Sequence, residues 1–496
     1  MAVTLSQARL GEIGSTVSQP SYRAQDLSAG IVHFGVGNFH RAHQACYLDE
    51  LFESGLDRDW AIIGTGVQEG DAAMGRDLAA QDFLTTVVAQ EATSAQARIT
   101  GAMIDFIAPG DRAGLLARLV DARTRIVSLT VTEGGYYVDP ATQSFDANHA
   151  DIIADAADRL ACPKTAFGLI AAALLQRRAA GLAPFTVMSC DNLPGNGHVT
   201  ENAVSGLVEL IDRSDARWIR ESVAFPNGMV DRITPATSER ERAALRGDFG
   251  IDDRRPVFCE GFRQWVLEDR FPAGRPRLEQ VGVEFVADVA PFELMKIRIL
   301  NGGHAAIAYP AGLLDIHFVH EAMEDPQIAR FLRTLLEDEI IPLVPPVPNT
   351  DLATYRRTIE RRFANPKIGD TIRRLCLDGS NRQPKFILPT LRDALGAGRP
   401  IDGLALVSAL WCRYCYGETE SGKPIAPNDP SWPRLTEQAR KARTRPDAWL
   451  EMRGVYGDLA DDPRFREAFG QALQRLWRLG TRASLDHYQA MRAPNP

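Results

Sequence analysis

The chain lacks any apolar run long enough to cross a membrane. Its longest strongly apolar stretch, residues 166–175, is far shorter than the roughly 20 residues that a membrane-spanning helix needs. The first residues also lack the basic segment and following apolar run that mark a secretory signal peptide. We therefore expect a cytoplasmic protein with no membrane partner.

Cysteine is sparse, and neither cysteine nor histidine is clustered. The 496 residues include seven cysteines and nine histidines. The one CxxC pair, Cys412 and Cys415, lies in an apolar helical pattern with no second Cys/His pair nearby. Zinc sites usually take their ligands from such clusters. The sequence therefore predicts reduced thiols, two buried helical cysteines and no metal site.

An excess of positive charge is missing as well. The chain carries 56 basic and 64 acidic residues, for a net charge of -8. This balance argues against non-specific binding to nucleic acid. A hydrophobic content of 45% is ordinary for a globular protein, but 496 residues are too many for one compact core. We expect two or three domains.

What is present begins with a strand, a glycine turn and a helix. Residues 29–34 are an apolar run of strand type, Gly35 and Gly37 follow, and a helical pattern begins at Asn38. In a dinucleotide-binding turn, the first glycine permits the tight turn and the second lets the backbone approach a pyrophosphate. His40 stands where the third glycine of that fingerprint belongs. On this stretch alone, an ordinary glycine-rich turn is an equal alternative.

An acidic residue follows the second strand pattern. Residues 60–67 have strand character, and Gln68, Glu69 and Asp71 come next. In dinucleotide-binding folds, an acidic side chain at this point binds the adenosine ribose hydroxyls and repels the 2′-phosphate of NADP. Glu69 is the predicted ribose ligand, with Gln68 and Asp71 as alternatives. It lies further from Gly35 than the usual roughly 20 positions, so we expect an extended first helix and exit loop.

Polar residues follow several later strand patterns. These patterns occupy residues 98–107, 125–131, 185–189, 257–266 and 281–289. Thr132 and Glu133 follow the second of them, and Asn192 follows the third. Asp231 and Arg232 lie between apolar residues, which indicates a partly buried ion pair or a ligand contact. Open α/β sheets bind ligands beyond the carboxyl ends of their strands. The predicted cofactor-binding residues are therefore Gly35, Gly37, Asn38, Phe39, Glu69, Thr132 and Glu133.

The pattern changes near residue 290. Beyond it, helical periodicity dominates, and the predicted helices cover residues 325–339, 352–363, 370–377, 404–416 and 463–479. We predict an α/β fold, with a Rossmann-type dinucleotide-binding domain over residues 1–290 and a mostly α-helical substrate and catalytic domain over residues 291–496. Small-molecule sites are common in clefts between domains, and we expect one at this boundary.

The segment 291–304, PFELMKIRILNGGH, carries the densest set of candidate catalytic residues. Its helical apolar spacing is interrupted by Lys296, Asn301 and His304, which fall with Glu293 on one broad face at about 100° per residue. Any one of them alone would be an ordinary surface or core residue, but the three together favour a site. The glycine pair after Asn301 indicates close approach of a ligand or of another helix.

Six segments carry a family resemblance. They are VHFGVGNFHRAHQ, TEGGYY, SCDNLPGNG, FPNGMVDRITP, MKIRILNGGH and LCLDGSNRQPKF, and they span residues 32–386. Together they resemble the polyol-specific long-chain dehydrogenase/reductase family, whose own fingerprint also lacks the third glycine. The resemblance implies NAD-dependent oxidation of a sugar alcohol to a ketose without zinc, with D-mannitol and D-fructose as the expected pair, and the reverse reduction. It also favours a monomer.

The resemblance assigns chemical roles to four residues. Lys296 matches the family's catalytic base, Asn192 and Asn301 match the residues that hold the alkoxide oxygen, and His304 matches the residue that orients the substrate. The chemistry suits these residue types. A secondary alcohol loses a proton as its hydride leaves, so an amine must take the proton and amide donors must stabilise the developing oxyanion.

Further contacts are implied with the substrate hydroxyls and with solvent. Asp231 and Arg374 match the family's hydroxyl contacts, although Arg373 is adjacent and is an alternative to Arg374. Glu293 lies one helical turn before Lys296. An ionised carboxylate in contact would raise the pKa of the lysine. We therefore expect Glu293 to serve in proton exchange with solvent.

Four other functions are compatible with parts of this sequence. Zinc-dependent oxidation is disfavoured by the absence of a ligand cluster. A hexuronate reductase of the fructuronate or tagaturonate type would keep the fold and pair an arginine with the substrate carboxylate. A D-arabinitol dehydrogenase would differ only in hydroxyl geometry, which the sequence does not rank. A nucleotide-sensing regulator would have no need of a base, so the Lys–Asn–His set argues against it.

Overall fold

The computed structural model describes residues 2–139 and 144–492. Contacts within the chain divide it into two compact units, Met1–Ala290 and Pro291–Pro496. In the described ranges, no helix is both long enough and apolar enough to cross a membrane.

The first unit combines strands with helices. Its strands are β1 Val3–Thr4, β2 Ala29–Phe34, β3 Ala61–Thr65, β4 Thr85–Gln90, β5 Ala95–Thr100, β6 Met103–Ile107, β7 Ile126–Leu129, β8 Thr186–Ser189, β9 Gly228–Asp231, β10 Ile251–Asp252, β11 Val257–Glu260, β12 Gln264–Glu268 and β13 Glu284–Val286. Its α-helices are α1 Asn38–Ala42, α2 Gln44–Glu53, α3 Ala72–Ala79, α4 Arg112–Val120, α5 Ala150–Ala157, α6 Ala166–Ala179, α7 Asn196–Glu209, α8 Arg213–Ser222 and α9 Glu239–Asp248.

The central sheet of this unit has five parallel strands in the order β6-β3-β2-β7-β8. Counted along the chain, this is the 3-2-1-4-5 order of the Rossmann fold. The chain runs from β2 to β3 toward one edge of the sheet and from β7 to β8 toward the other edge. Such folds bind ligands where the strand order reverses in this way, which here is between β2 and β7. The predicted Rossmann-type α/β fold is confirmed.

Both faces of the central sheet are buried. Successive strand residues point to opposite faces, and accordingly Ile126 and Val127 belong to different apolar cores. One core contains residues of α4, α6 and α7, and the other contains residues of α2 and α3. Because helices cover each face, β2, β7 and β8 are buried at every residue, with no alternation between buried and exposed positions.

Three smaller sheets complete the first unit, with orders β1-β10, β11-β4-β5 and β13-β12-β9. Two sequence predictions were wrong here. The strand predicted at 98–107 is two strands, β5 and β6, which belong to different sheets. The strand predicted at 257–266 is likewise divided into β11 and β12. Gly101 and Gly261 lie at the two breaks, where the chain changes direction.

The described part of the second unit, residues 291–492, consists of helices, loops and isolated β-bridges. Its α-helices are α10 Ala290–Met295, α11 Gly302–Leu313, α12 Val319–Glu324, α13 Pro326–Leu335, α14 Leu352–Phe363, α15 Ile372–Leu375, α16 Gly379–Phe386, α17 Leu388–Gly396, α18 Asp402–Cys415, α19 Trp432–Ala442, α20 Asp447–Leu450, α21 Arg453–Tyr456 and α22 Pro463–Arg492. The mostly helical character predicted for this half is confirmed.

Local sequence signals explain several of these helix ends. Asp325 caps α13 by accepting the N–H groups of Gln327 and Ile328, and Pro326 occupies its first position. The last helix was predicted to cover residues 463–479, and Gly480 follows that range. It has a φ of 83°, so the chain does leave the helical conformation there, but a second helical segment follows within α22. Cys412 and Cys415 are buried in α18, as predicted.

A π-helix, Lys296–Asn301, joins α10 to α11. The N–H of Gly302 donates to the carbonyl of Ile297, five residues earlier. In an α-helix, residues five apart point about 140° away from each other. The wider π turn instead brings residue i+5 back above residue i, and such turns are frequent at functional sites. The α-helical period inferred for residues 291–304 was therefore wrong over Lys296–Asn301.

Candidate active site

Gly35 and Gly37 form the turn at the carboxyl end of β2. Gly35 has a φ of +89°, and a Cβ there would lie 2.1 Å from the carbonyl oxygen of Thr130, so a side chain would not fit. Gly37 is exposed, and a Cβ on it would meet nothing closer than 3.8 Å. The first glycine therefore fixes the turn, while the second leaves an open backbone surface that a pyrophosphate can approach.

His40, in place of the third glycine, fills the space between helix and strand. Its ring centroid lies 3.5 Å from that of His33 on β2, and the two ring planes are 14° apart. In the common fingerprint, the third glycine lets the helix pack closely on the strand. Here two stacked imidazoles occupy that position, so helix and strand pack through aromatic rings.

The side chains of Asn38 and Phe39 are engaged within the first unit. The amide of Asn38 donates to the hydroxyl of Thr237 at 3.3 Å and accepts from Arg41 at 2.8 Å. The ring of Phe39 stacks on that of His43, with 4.8 Å between centroids. We therefore expect Asn38 to reach a cofactor through its backbone.

The acidic residues beyond β3 have different surroundings. One carboxylate oxygen of Asp71 accepts the N–H groups of Val67 and Gln68, at 2.8 and 3.0 Å, and so closes the turn itself. Glu69 is exposed. Of the two acidic candidates for the ribose ligand, Asp71 is therefore used by the turn itself, whereas the side chain of Glu69 is directed to no backbone N–H of this turn.

Thr132 and Glu133 lie beyond β7, at the switch point of the sheet, and both are exposed. Thr132 has a φ of 67° and a ψ of 161°, a backbone conformation that is essentially restricted to glycine. The short 3₁₀-helix Glu133–Tyr136 follows. Strain of this kind clusters at ligand-binding sites and requires surrounding groups to hold it.

Two further candidates of the first unit differ in exposure. Asn192 is exposed beyond β8, the neighbour of β7. Asp231 ends β9 and is buried, with 6% of its surface exposed. Arg232 is also buried, and its guanidinium donates to the carbonyl oxygens of Ala42 and Glu260. Arg232 therefore links the backbones of α1 and β11.

The π-helix places the candidate residues of the second unit. Lys296 is its first residue, with 7% of its surface exposed, and Asn301 is its last. Because the π turn brings residues five apart onto one side, their side chains share a face more closely than an α-helix allows. Glu293 is half-buried and lies in the first turn of α10. Arg298 turns elsewhere and bonds the carbonyl of Leu343 at 2.6 Å.

The glycine pair after the π-helix serves helix packing. A Cβ on Gly302 would lie 3.3 Å from the carbonyl oxygen of Phe386, and a Cβ on Gly303 would lie 3.4 Å from Leu332 and Phe363. Of the two interpretations of this pair, close approach of neighbouring helices is therefore the one that the structure supports.

His304 stacks on Phe363, with ring centroids 4.0 Å apart and planes 14° apart. Burial lowers the pKa of His304 well below its usual 6.5, and the positive charges of Arg374, Arg362 and Arg382 add to this effect. The imidazole is therefore neutral near pH 7. In that form one ring nitrogen donates a hydrogen bond and the other accepts one, which suits the binding of a hydroxyl group.

The adjacent arginines differ in their partners. Arg373 donates to the carbonyls of Ala426 and Pro427, at 3.2 and 3.1 Å. Arg374 forms an ion pair with Asp370, and this hydrogen bond raises the pKa of the guanidinium. Among the neighbouring charges, that of Arg374 lowers the pKa of His304 most, so Arg374 is the better candidate for a substrate contact.

Several residues around these candidates were missed by the sequence analysis. Arg362 and Arg382 contribute to the charge around His304. Arg362 lies in a helix with no recognisable motif, whereas Arg382 lies within the quoted segment LCLDGSNRQPKF and was not singled out. Asp191 precedes Asn192 within the quoted motif and was not singled out. Asn192 could be singled out because an amide donor fits the expected chemistry. The hydrogen-bond partners of Asp191 lie beyond another strand, so the sequence alone does not show them.

Within residues 2–139 and 144–492, no group of three or more His, Cys, Asp or Glu side chains is arranged to hold a metal ion.

Comparison with known proteins identifies the family. The mannitol dehydrogenase Rossmann domain matches residues 29–280, and the mannitol dehydrogenase C-terminal domain matches residues 288–477. A mannitol 2-dehydrogenase from Cereibacter sphaeroides is 58% identical over 476 residues, which cover 96% of this chain and 99% of that protein.

Two solved structures are similar over almost the whole chain. The Pseudomonas fluorescens mannitol 2-dehydrogenase in ternary complex with NAD and D-mannitol has 40% sequence identity and a TM-score of 0.86, covering 99% of this chain and all of that one. A D-sorbitol dehydrogenase in substrate-free form has 34% identity and a TM-score of 0.90, covering 97% of this chain. Both domain matches and the near full-length identity agree with the motifs. The chain belongs to the mannitol dehydrogenase family.

Proposed function

We propose that this protein is an NAD-dependent polyol dehydrogenase that oxidises D-mannitol to D-fructose and catalyses the reverse reduction. The observation that carries the proposal is the 58% identity, over 96% of the chain, to a mannitol 2-dehydrogenase. It is supported by the similarity to a mannitol 2-dehydrogenase whose structure holds NAD and D-mannitol.

The first unit has the features that NAD requires, so we propose that residues 1–290 form the cofactor domain. Gly37 leaves an open backbone surface at the end of β2, where a side chain would lie in the path of a pyrophosphate. Glu69 offers a carboxylate beyond β3 for the adenosine ribose, and its charge opposes a 2′-phosphate. Thr132 and Glu133 lie at the switch point, where the nicotinamide half of a dinucleotide binds in this fold.

The remaining residues, 291–496, form the substrate and catalytic domain in this proposal. Bound NAD supplies the acceptor for the hydride that leaves the carbinol carbon. Lys296 takes the proton from the hydroxyl group, because only a neutral amine near that oxygen can accept it. The amides of Asn192 and Asn301 donate to the oxygen and stabilise the negative charge that develops there. In the reduction, Lys296 returns the proton as an ammonium group.

The other polar residues position the substrate or exchange protons. Neutral His304 accepts and donates hydrogen bonds with a hydroxyl group near the reacting carbon, while Asp231 and Arg374 bind the more distant hydroxyls. Glu293 is half-buried and lies one helical turn before Lys296. In this scheme it accepts the proton from the lysine and passes it to water. No Lewis acid is required in this scheme, because the lysine and the two amides carry the charge changes.

We also infer the state and location in which the protein acts. All candidate residues belong to one chain, so a monomer can carry the whole reaction. A cytoplasmic location agrees with the use of NAD, because the cytoplasm holds a pool of this cofactor. Light scattering of the purified protein and fractionation of the source cells test these two inferences.

The proposed function is tested with a panel of substrates, and each reaction is monitored by the absorbance of the reduced cofactor. D-mannitol, D-sorbitol and D-arabinitol are offered with NAD or NADP, and D-fructose, fructuronate and tagaturonate are offered with NADH. We expect the highest kcat/KM for D-mannitol with NAD and for D-fructose with NADH. A higher value for a hexuronate or for another polyol would replace mannitol as the substrate, and no turnover with any of them would contradict the assignment as a dehydrogenase.

A further inference from the structure

Asp191 joins two strand ends of the central sheet. Its carboxyl group, with 9% of the residue exposed, accepts the N–H of Val131 at 2.8 Å and the N–H of Thr132 at 3.0 Å. The oxygen that binds Val131 also accepts the hydroxyl of Tyr136 at 2.7 Å. Three donors from the segment beyond β7 therefore converge on one side chain beyond β8.

The segment held in this way contains the strained residue. Thr132 adopts a φ of 67° and a ψ of 161°, which a β-branched side chain strongly disfavours. Such a conformation persists only where surrounding groups fix it. The two N–H bonds to Asp191 fix the peptide groups on both sides of Val131, up to the nitrogen of Thr132. The Tyr136 hydroxyl ties the segment after Thr132 to the same carboxyl group, so the restraint acts on both sides of the strained residue.

We propose that Asp191 is a positioning residue that holds Thr132 and Glu133 in register with Asn192. The two strands β7 and β8 are adjacent and parallel, so the segments beyond them lie side by side at the same edge of the sheet. Asn192 directly follows Asp191, and the N–H of Thr132, the residue before Glu133, donates to the carboxyl group of Asp191. One side chain thus sets the distance between a predicted oxyanion donor and the predicted cofactor turn, an inference that rests on the proposed function.

The geometry explains why a carboxyl group is needed. Each of its oxygens accepts one backbone N–H, and those donors cannot be reversed. An asparagine in either orientation would turn its NH₂ group toward the N–H of Val131 or of Thr132. One buried backbone donor would then lose its acceptor, and the strained turn would relax. Asp191→Asn is therefore a small change in shape that removes the restraint.

Asp155 provides a matched control in the same unit. Its buried carboxyl group also accepts two backbone N–H groups and one hydroxyl, from Lys164 at 2.7 Å and from Thr165 at 3.0 and 2.7 Å. These three hydrogen bonds fix the segment before α6 and involve none of the predicted site residues. Asp191→Asn and Asp155→Asn should lower the melting temperature by comparable amounts, which separates a general loss of stability from a loss of positioning.

Three measurements on the full-length protein test the proposal. In Asp191→Asn we expect kcat for D-mannitol to fall on the order of 10- to 100-fold, the magnitude that small misplacements of reacting groups cause. We also expect a larger isotope effect with mannitol deuterated at C2, because the hydride step becomes slower, and weaker binding of NADH by fluorescence. Asp155→Asn should leave all three near the wild-type values.

Two results would overturn the proposal. One is native kcat, isotope effect and NADH affinity in Asp191→Asn, and the other is an equal loss of all three in Asp155→Asn. If Asp191→Asn does not fold, Tyr136→Phe removes one of the three donors and should lower kcat to a smaller degree, whereas an unchanged kcat there would overturn the proposal. If the wild-type protein oxidises no polyol, the proposed function fails, and the NADH affinities of the two variants still decide the role of Asp191.

Discussion

The Nε2 atom of His33 lies 2.9 Å from the hydroxyl oxygen of Thr130, and that oxygen lies 2.6 Å from the carbonyl oxygen of Gly35. The carbonyl can only accept, so the Thr130 hydroxyl donates to it and accepts from Nε2–H of His33. The Nδ1 atom of His33 lies 2.8 Å from the hydroxyl oxygen of Ser128, which donates to the side-chain oxygen of Gln44 at 3.1 Å. The His33 ring therefore connects Ser128 to the glycine turn, and burial keeps this imidazole neutral by lowering its pKa to about 3.

Three histidines near this turn make the fold sensitive to acid. Burial lowers the pKa of His33 and of His43 to about 3, and it lowers the pKa of His40 well below its usual value. An unfolded histidine has a pKa near 6.5, so below that pH the unfolded chain binds protons that the folded chain does not. The free energy of unfolding should fall with decreasing pH by about 1.4 kcal/mol per pH unit for each such histidine.

The measurement is urea unfolding at a series of pH values from roughly 7.5 to 4.5, a range that brackets the pKa of an unfolded histidine. His40→Phe keeps a flat ring against His33 without a titrating group, and neither ring nitrogen of His40 has a hydrogen-bond partner to lose. Its slope should be shallower than that of the wild type. The exposed His149→Gln serves as the control and should keep the wild-type slope. Equal slopes in all three proteins would contradict the role assigned to the buried rings.

Replacement of Lys296 is the sharpest test of the proposed mechanism. In Lys296→Ala we expect kcat to fall on the order of 10²- to 10⁴-fold, the contribution of a positioned general base, with a further loss from orientation. NADH binding should survive, because the proposed cofactor residues lie elsewhere in the chain. Wild-type oxidation should become faster with rising pH and reduction slower, since the neutral amine accepts a proton and the ammonium donates one.

Lys441→Ala is the control for this experiment. Lys441 is exposed and pairs with Glu437 on α19, so its loss should leave turnover unchanged. Near-native kcat and an unchanged pH profile in Lys296→Ala would show that Lys296 is not the base.

The two asparagines and His304 should rank below the lysine. Asn192→Ala and Asn301→Ala should each lower kcat on the order of 10²- to 10³-fold, as the removal of an oxyanion donor does. His304→Ala should cost less, because it binds a hydroxyl group and takes no proton. Steady-state kinetics with D-mannitol measure the three effects. Asn148→Ala, on an exposed loop, should behave as the wild type, and a similar loss there would show that the effects are not specific to the site.

Glu69 is expected to select NAD over NADP by charge repulsion. Glu69→Gln should narrow the ratio of kcat/KM for NAD to that for NADP, because the 2′-phosphate no longer faces a carboxylate. Asp71→Asn is the contrast, since its carboxyl group faces the N–H groups of Val67 and Gln68. It should weaken the binding of both dinucleotides alike. A ratio that changes only in Asp71→Asn would move the selecting role to that residue.

Activity should persist after exhaustive removal of metal ions. The proposed base and the two amides supply every charge change of the reaction, so a Lewis acid has no task in it. Dialysis against a strong chelator, with a zinc-dependent alcohol dehydrogenase treated in parallel, makes the measurement. Loss of turnover that zinc restores would contradict the lysine mechanism.

The sequence predicted the elements whose signals are local. The strand before Gly35, the turn at Gly35 and Gly37, and the helical character after residue 290 follow from apolar periodicity and turn chemistry alone. The five-stranded order could be inferred only through the resemblance. Strand β4 was not predicted at all, because its run, Thr85–Gln90, has no strong flanking turn signal and its pairing with β5 and β11 is set by the tertiary fold.

Parts of the candidate site could not be predicted, for a similar reason. A π turn of six residues, Lys296–Asn301, differs too little from an α-helix in its apolar pattern to be detected. Arg373 and Arg374 are neighbours in sequence, and only their partners, 53 residues away for the first and four for the second, distinguish them. The role of Asp191 depends on donors about 60 positions earlier in the chain, which become adjacent through the pairing of β7 with β8.

The π turn at Lys296–Asn301 also bears on how this segment can change in evolution. A hydrogen-bonded ring that spans five residues holds one residue more than the ring of an α-helix. The wider turn absorbs this extra residue, so the residues that follow keep the direction they would have in an α-helix one residue shorter. Gly302 and Gly303 therefore face the helices that contact them closely despite the extra residue. The segment can gain or lose one residue at this turn, whereas the same change elsewhere in a packed α-helix would rotate all that follows by about 100°.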